Sequence, residues 1–333
     1  MFPQIFLLLI TITTISEQDR IITTVKYSTF RVQPTIVHGN PVLTGQIPYL
    51  VSIKDRSRRI SRAKSLWANL CGGSIISPSR VVTAAHCFEG RHFYYAKHFK
   101  LLRVVAGNLQ NEVVHSGRTQ TAPKGQWRSM VKVILHPLFQ FPSHDIALVF
   151  LDEKFIYTKT VDYIVPAAKM TDYPRTCLAA GFGQTGSGPE LSRELLWADI
   201  SILSRKQCDI WWEMNMDTFI CTNSQASDVG GGDSGGPLAC YGTLDPAEQR
   251  GRDILVGVVS GKNYDKTTLF TRVSQYNRWL KGDGQENFAC ACEPTKLMIS
   301  LCLLNTLLCY IRLLILFIFE LFLQSMNEYY HKT

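Results

Sequence analysis

The chain has 333 residues, a formal net charge of +8 and 19% charged residues, which leaves room for one large domain or two modest ones and a sizeable buried core. Lys54, Arg56, Arg58, Arg59, Arg62 and Lys64 crowd into one segment with only Asp55 against them, so the positive charge is a local patch and not a global field. No aromatic residue interleaves it, and a nucleic-acid partner is not expected; the segment reads as a solvated loop, with docking of an acidic partner as the other reading.

Residues 1–16 carry an apolar run from Ile5 to Ile10 and read as a signal peptide, although no positive charge precedes the run. The chain is therefore expected in the secretory pathway, an oxidising compartment in which ten cysteines favour disulfides over metal or redox roles. Pro48 to Ile53 alternates with period two behind an entry proline and predicts a first strand. Cys71 to Ile76 and Val81 to Ala85 are short β-rich runs separated by the turn residues Ser77, Pro78 and Ser79. His92 and His98 lie in an aromatic and basic stretch that reads as loop surface and not as a ligand pair, so no metal is expected. Further short strands are predicted over Leu101 to Ala106, Val131 to Leu135, Ile146 to Leu151, Leu178 to Phe182, Ala198 to Leu203 and Leu255 to Ser260. No helical alternation separates them, which excludes a parallel α/β sheet and predicts an all-β barrel or sandwich.

From Leu297 to Leu323 the chain is almost wholly apolar, broken by Asn305, Arg312 and Glu320. Its eighteen Leu, Ile and Phe residues, at about −0.3 to −0.6 kcal/mol each, outweigh roughly 5 to 7 kcal/mol for the two charges. Residues 297–323 thus form a candidate transmembrane segment within a tail spanning 289–333. The competing reading is an amphipathic appendage.

Three stretches carry chemistry. In Gly231-Gly232-Asp233-Ser234-Gly235-Gly236-Pro237, glycines let the backbone turn sharply and approach another molecule, which is how a serine nucleophile is presented. A serine hydroxyl needs a base, and the base needs an orienting group. Thr83-Ala84-Ala85-His86-Cys87 offers the imidazole, and Asp145-Ile146-Ala147-Leu148 a carboxylate at the mouth of an apolar strand.

In their order His, Asp, Ser these motifs resemble the chymotrypsin-like serine proteases of the trypsin family, in an insect-type, secreted form. The resemblance implies two six-stranded antiparallel β-barrels with the site in the cleft between them and a closing helix over Val273 to Leu280. It implies that Ser234 attacks a peptide carbonyl, His86 shuttles the proton, Asp145 orients the imidazole, and the amides of Gly232 and Ser234 face the oxyanion. It pairs Cys71 with Cys87, Cys177 with Cys240 and Cys208 with Cys221, leaving Cys290, Cys292, Cys302 and Cys309 without a role. The protease domain is expected over 36–288 after a propeptide over 17–35, with no cofactor; calcium is not expected. Protein or peptide substrates, an activating protease and protein inhibitors are the implied partners. The protease domain is expected outside the cell, with membrane anchoring through the tail as an added expectation.

Ile36-Val37-His38-Gly39 stands where the mature protease begins, so the amine of Ile36 is expected to pair with Asp233 after cleavage. Pro34-Thr35 precedes that bond in place of the usual Arg or Lys, and trypsin is not expected to cut there. Asp228 occupies the position of the specificity-pocket floor and predicts cleavage after Arg or Lys, with Ser260 and Gly261 along the pocket wall. The surroundings depart from the family. Gly230 replaces a cysteine, Ser260-Gly261-Lys262 replaces Ser-Trp-Gly in a shortened segment, and Thr268 replaces a wall glycine. The altered pocket keeps a second function open, a non-cleaving homologue that binds or regulates partners.

Overall fold

The computed structural model describes residues 39–60, 64–90, 92–116, 125–169, 171–174, 176–184, 191–223, 228–262 and 267–284. The expected signal peptide and propeptide, Ile36, Arg62, the four cysteines without a role and the apolar tail lie outside the described residues. Among the described residues no helix is long and apolar enough to cross a membrane.

A short β1 (Asn40–Pro41) leads into the first barrel, made of β2 (Leu50–Arg59), β3 (Lys64–Ser77), β4 (Arg80–Thr83), β5 (Arg103–Ala106), β7 (Gln126–Leu135) and β8 (Ala147–Leu151), with β6 (Val113–Ser116) added on the edge of β3. The order β2-β5-β7-β8-β4-β3 closes through β2–β3 pairing. A bridging β9 (Val165–Pro166) precedes the second barrel of β10 (Thr176–Gly181), β11 (Leu196–Ile202), β12 (Phe219–Asn223), β13 (Pro237–Cys240), β14 (Ile254–Lys262) and β15 (Thr268–Arg272). Its order β11-β10-β13-β14-β15-β12 closes through β11–β12. Each barrel is thus six antiparallel strands, and closure leaves no open edge within it. β1 pairs with β11 on the outside, and β9 runs parallel to β14.

The apolar runs that predicted strands fill the barrels. Val81 and Val82 face Val149 and Leu148 across β4 and β8, all fully buried. A continuous core runs from these strands to Phe182, Val258 and Trp279 of the C-terminal half, so apolar packing seats one barrel on the other. Fully burying such a side chain stabilises the fold by roughly 1.5–3 kcal/mol. The second barrel has its own core around Leu238, Ile254, Val256 and Phe270.

Two expectations are corrected. The basic segment is not a solvated loop: Lys54 to Arg59 continues β2 and Lys64 opens β3, and Lys54 is fully buried. Arg56, Arg59 and Lys64 are exposed on these strands, because outward positions on paired strands accept charged residues as readily as a loop does. Helices also occur between strands: α1 (Tyr94–Lys97) and α2 (Arg205–Trp212), followed by the closing α3 (Asn277–Lys281). A capping box fixes the start of α2, with Ser204 accepting from the amide of Gln207 and the Gln207 side chain accepting from the amide of Ser204. Its inner face is only Cys208 and Trp212, too brief a pattern to register as helical periodicity.

Candidate active site in the cleft

β4 ends at Thr83 and a single 3₁₀ turn over Ala85–Phe88 follows, placing His86 at the mouth of the first barrel. The Cys71–Cys87 disulfide ties that turn to β3. Asp145 immediately precedes the Ile146 entry to β8, so β4–β8 pairing brings the two residues together. The Asp145 carboxylate is fully buried and takes two hydrogen bonds from His86, one from Nδ1 at 2.7 Å and one from the main-chain N–H at 2.8 Å. An ionised carboxylate can only accept, so Nδ1 carries the proton and Nε2 keeps its lone pair. Burial would lower the pKa of His86, but the Asp145 charge and hydrogen bond, helped by Glu89, raise it above the ordinary 6.5. Phe141 packs edge-on against the imidazole with ring centroids 5.5 Å apart. His86 also neighbours the sulfurs of Cys71 and Cys87, but the disulfide leaves no thiolate there to hold a metal.

The second barrel completes the arrangement. Ser260 donates to Asp145 Oδ2 at 2.6 Å, and Thr271 Oγ1 donates to the Asp145 carbonyl at 2.8 Å. Ser234 sits on the turn before β13, its carbonyl accepting from the Gly72 amide at 2.7 Å and lying 3.8 Å from Cys87 Sγ. The glycines there are geometric necessities. Gly235 has φ +78°, and a Cβ on it would lie 2.1 Å from Thr83 Oγ1; Gly232 has φ +94°, which side chains rarely adopt. The Gly232 carbonyl accepts from Asn69 Nδ2 at 2.8 Å, and Ser52 holds Asn69 in turn at 2.6 Å.

Asp233 is fully buried beneath this turn and accepts from the amides of Gly183 at 2.7 Å and Gly230 at 2.6 Å. Burial pushes its carboxyl up to about 8 against the two amide bonds, and the Asp228 charge adds to the rise. Lys54, unforeseen from the sequence, lies buried nearby. Its ammonium donates to the carbonyls of Gln110 and Asn111 and sits 5.2 Å over the Phe182 ring, and burial lowers its pKa to about 7 against the opposing Glu112 charge.

Asp228 is buried, and its carboxylate is already engaged within the chain. Thr268 Oγ1 and the Val229 amide donate to its Oδ1, and Lys262 Nζ lies 2.5 Å from its Oδ2 as an ion pair. Gly261 stands under Phe141, whose ring would meet a Cβ at 2.9 Å. Phe141, Asn69 and the Lys262 pairing escaped the sequence reading. For Lys262 the available signal was its place two residues beyond Ser260 on the wall strand. The three disulfides join Cys71 to Cys87, Cys177 to Cys240 and Cys208 to Cys221.

Two closed six-stranded barrels with His86 and Asp145 on one and the serine-bearing turn on the other define the chymotrypsin-like class of proteins. The Trypsin family model matches residues 36–280, and the chain belongs to that family. Among individual relatives, it is 29% identical over 265 residues to the Suppressor of tumorigenicity 14 protein homolog of Bos taurus. The match takes in 76% of this chain and 28% of that protein, so the chain spans well under two thirds of its relative's length.

Proposed function

We propose that the chain is a serine endopeptidase in which Ser234 is the nucleophile, His86 the general base and then acid, and Asp145 the group that orients the imidazole. The observation that carries this reading is the buried Asp145 carboxylate holding both the ring and the main chain of His86. That leaves Nε2 as the basic atom for a serine proton. The amides of Gly232 and Ser234 receive the negative charge of the tetrahedral intermediate, where fixed donors act without reorganising. Asp228 at the pocket floor supports cleavage after Arg or Lys, and Lys262 sets how strongly.

Activation follows from Asp233. A carboxylate this deeply buried is costly without a cation, and the amine of Ile36, freed by cleavage, is the cation we assign to it. The boundaries 1–16, 17–35, 36–288 and 289–333 and the extracellular placement, with the tail as anchor, belong to the same proposal. The Thr35→Arg protein, cut by immobilised trypsin that is then removed, should react with a fluorophosphonate at Ser234, and Ser234→Ala should lose about a million-fold in kcat. Unlabelled Ser234 in the cleaved protein, or a Ser234→Ala protein that still cleaves peptides at the parent rate, would sink the proposal.

A further inference from the structure

The walls of the proposed pocket are β14 and β15, whose register shifts between Val259 and Gly261. This bulge makes Ser260 the extra residue of the strand, and an extra residue lets one strand re-aim its side chains. Ser260 turns to Asp145, while Lys262 falls directly opposite Thr268. Residues directly opposite on paired strands present their side chains to the same face, and both Lys262 and Thr268 reach Asp228. The lysine side chain is 13% exposed and the carboxylate 3%, so the pair is largely withdrawn from water, where an ion pair is screened far less than on a surface.

From these contacts we infer that Lys262 is a specificity-determining residue: its ammonium occupies Asp228 as an internal substitute for a substrate's basic side chain and holds down cleavage after Arg and Lys. The inference rests on the reading of the cleft as an endopeptidase site with Asp228 at its floor. A substrate guanidinium or ammonium needs lone pairs on the Asp228 oxygens. Oδ1 already accepts from Thr268 and Val229, and Oδ2 faces Lys262. A second cation arriving there meets a like charge until Lys262 swings out, and like charges brought together in an interior repel strongly. A neutral side chain meets no such opposition.

Benzamidine, a flat aromatic cation that fits a carboxylate-floored pocket, tests this without any chemistry at Ser234. Its affinity is measured by calorimetry on the Thr35→Arg protein cleaved before Ile36, with Lys262 native or replaced by Met, Gln or Arg. Lys262→Met and Lys262→Gln should bind benzamidine at least about tenfold more tightly, and Lys262→Arg, which keeps the charge, should not. In paired peptide amides differing only in the residue before the cut, the Arg-to-Leu ratio of kcat/KM should rise by a similar factor in the Met and Gln variants, chiefly through KM. Two neutral replacements guard against one of them failing to fold. Equal benzamidine affinity in the native, Met and Gln proteins overturns the inference, as does tighter binding in Lys262→Arg. Fluorophosphonate labelling reads the other proposal separately: if Ser234 stays unlabelled while benzamidine tightens, the endopeptidase reading fails and the effect on cleavage falls with it, while the competition of Lys262 with a cation at Asp228 stands.

Discussion

At the scale of single residues, the imidazole of His86 has the most measurable property. Its pKa is raised because the Asp145 charge and hydrogen bond outweigh burial, and a general base works only when unprotonated. The acid limb of kcat/KM should therefore have its midpoint above 6.5. Asp145→Asn should move that midpoint down and lower kcat by about 10⁴-fold, since an amide can present the wrong tautomer to the ring. A midpoint at or below 6.5 in the parent enzyme would count against the pair as drawn. The sign for stability follows from the same shift. A protonated His86 is favoured by the fold, so the pair's stabilisation is complete below 6.5 and is lost as pH rises through the raised folded value.

Among the elements, α2 offers a clean test because a capping box fixes its start. Ser204→Ala removes an acceptor for the Gln207 amide and should cost about 1 kcal/mol, read as a lower Tm. Since Trp212 at the far end of α2 donates from Nε1 to Thr267 at 3.1 Å, beside the pocket residue Thr268, the same variant should also weaken benzamidine binding modestly. An unchanged Tm would show that the cap contributes nothing. Elements of this kind also mark what could be read in advance. The run Ile146 to Leu151 lies within a residue of β8 because an isolated apolar stretch behind a charged residue has few other fates. β13 and β15 passed unnoticed: both are short and buried on every residue, which erases the period-two signal. His86, Asp145 and Ser234 sit in motifs singled out by the residues around them and by their resemblance to the chymotrypsin-like family. Lys262 does not, since its target depends on a bulge and on pairing with Thr268, and Lys54 was hidden because a basic run gives no hint that one member turns inward.

On the scale of the whole molecule, the site exists only where the barrels meet. Gly72 to Ser234, Asn69 to Gly232, Ser260 to Asp145 and Thr271 to Asp145 are among the hydrogen bonds that cross between them. Each contributes about 0.5–1.5 kcal/mol net, beside the apolar core that the two barrels share. Because displacement of about 1 Å can cost roughly a hundredfold in rate, activity should disappear at a lower guanidinium concentration than the fluorescence of the six tryptophans changes. Coincident curves would show that the barrels open and unfold as one event. The seam between them also bears on how such a protein diverges. Lys262 and Thr268 both belong to the second barrel, whereas His86 and Asp145 belong to the first. On the proposed reading, mutation can therefore rewrite what the pocket accepts while the His86–Asp145 pair stays as it was, so that selectivity and proton handling are inherited in separate pieces of one chain.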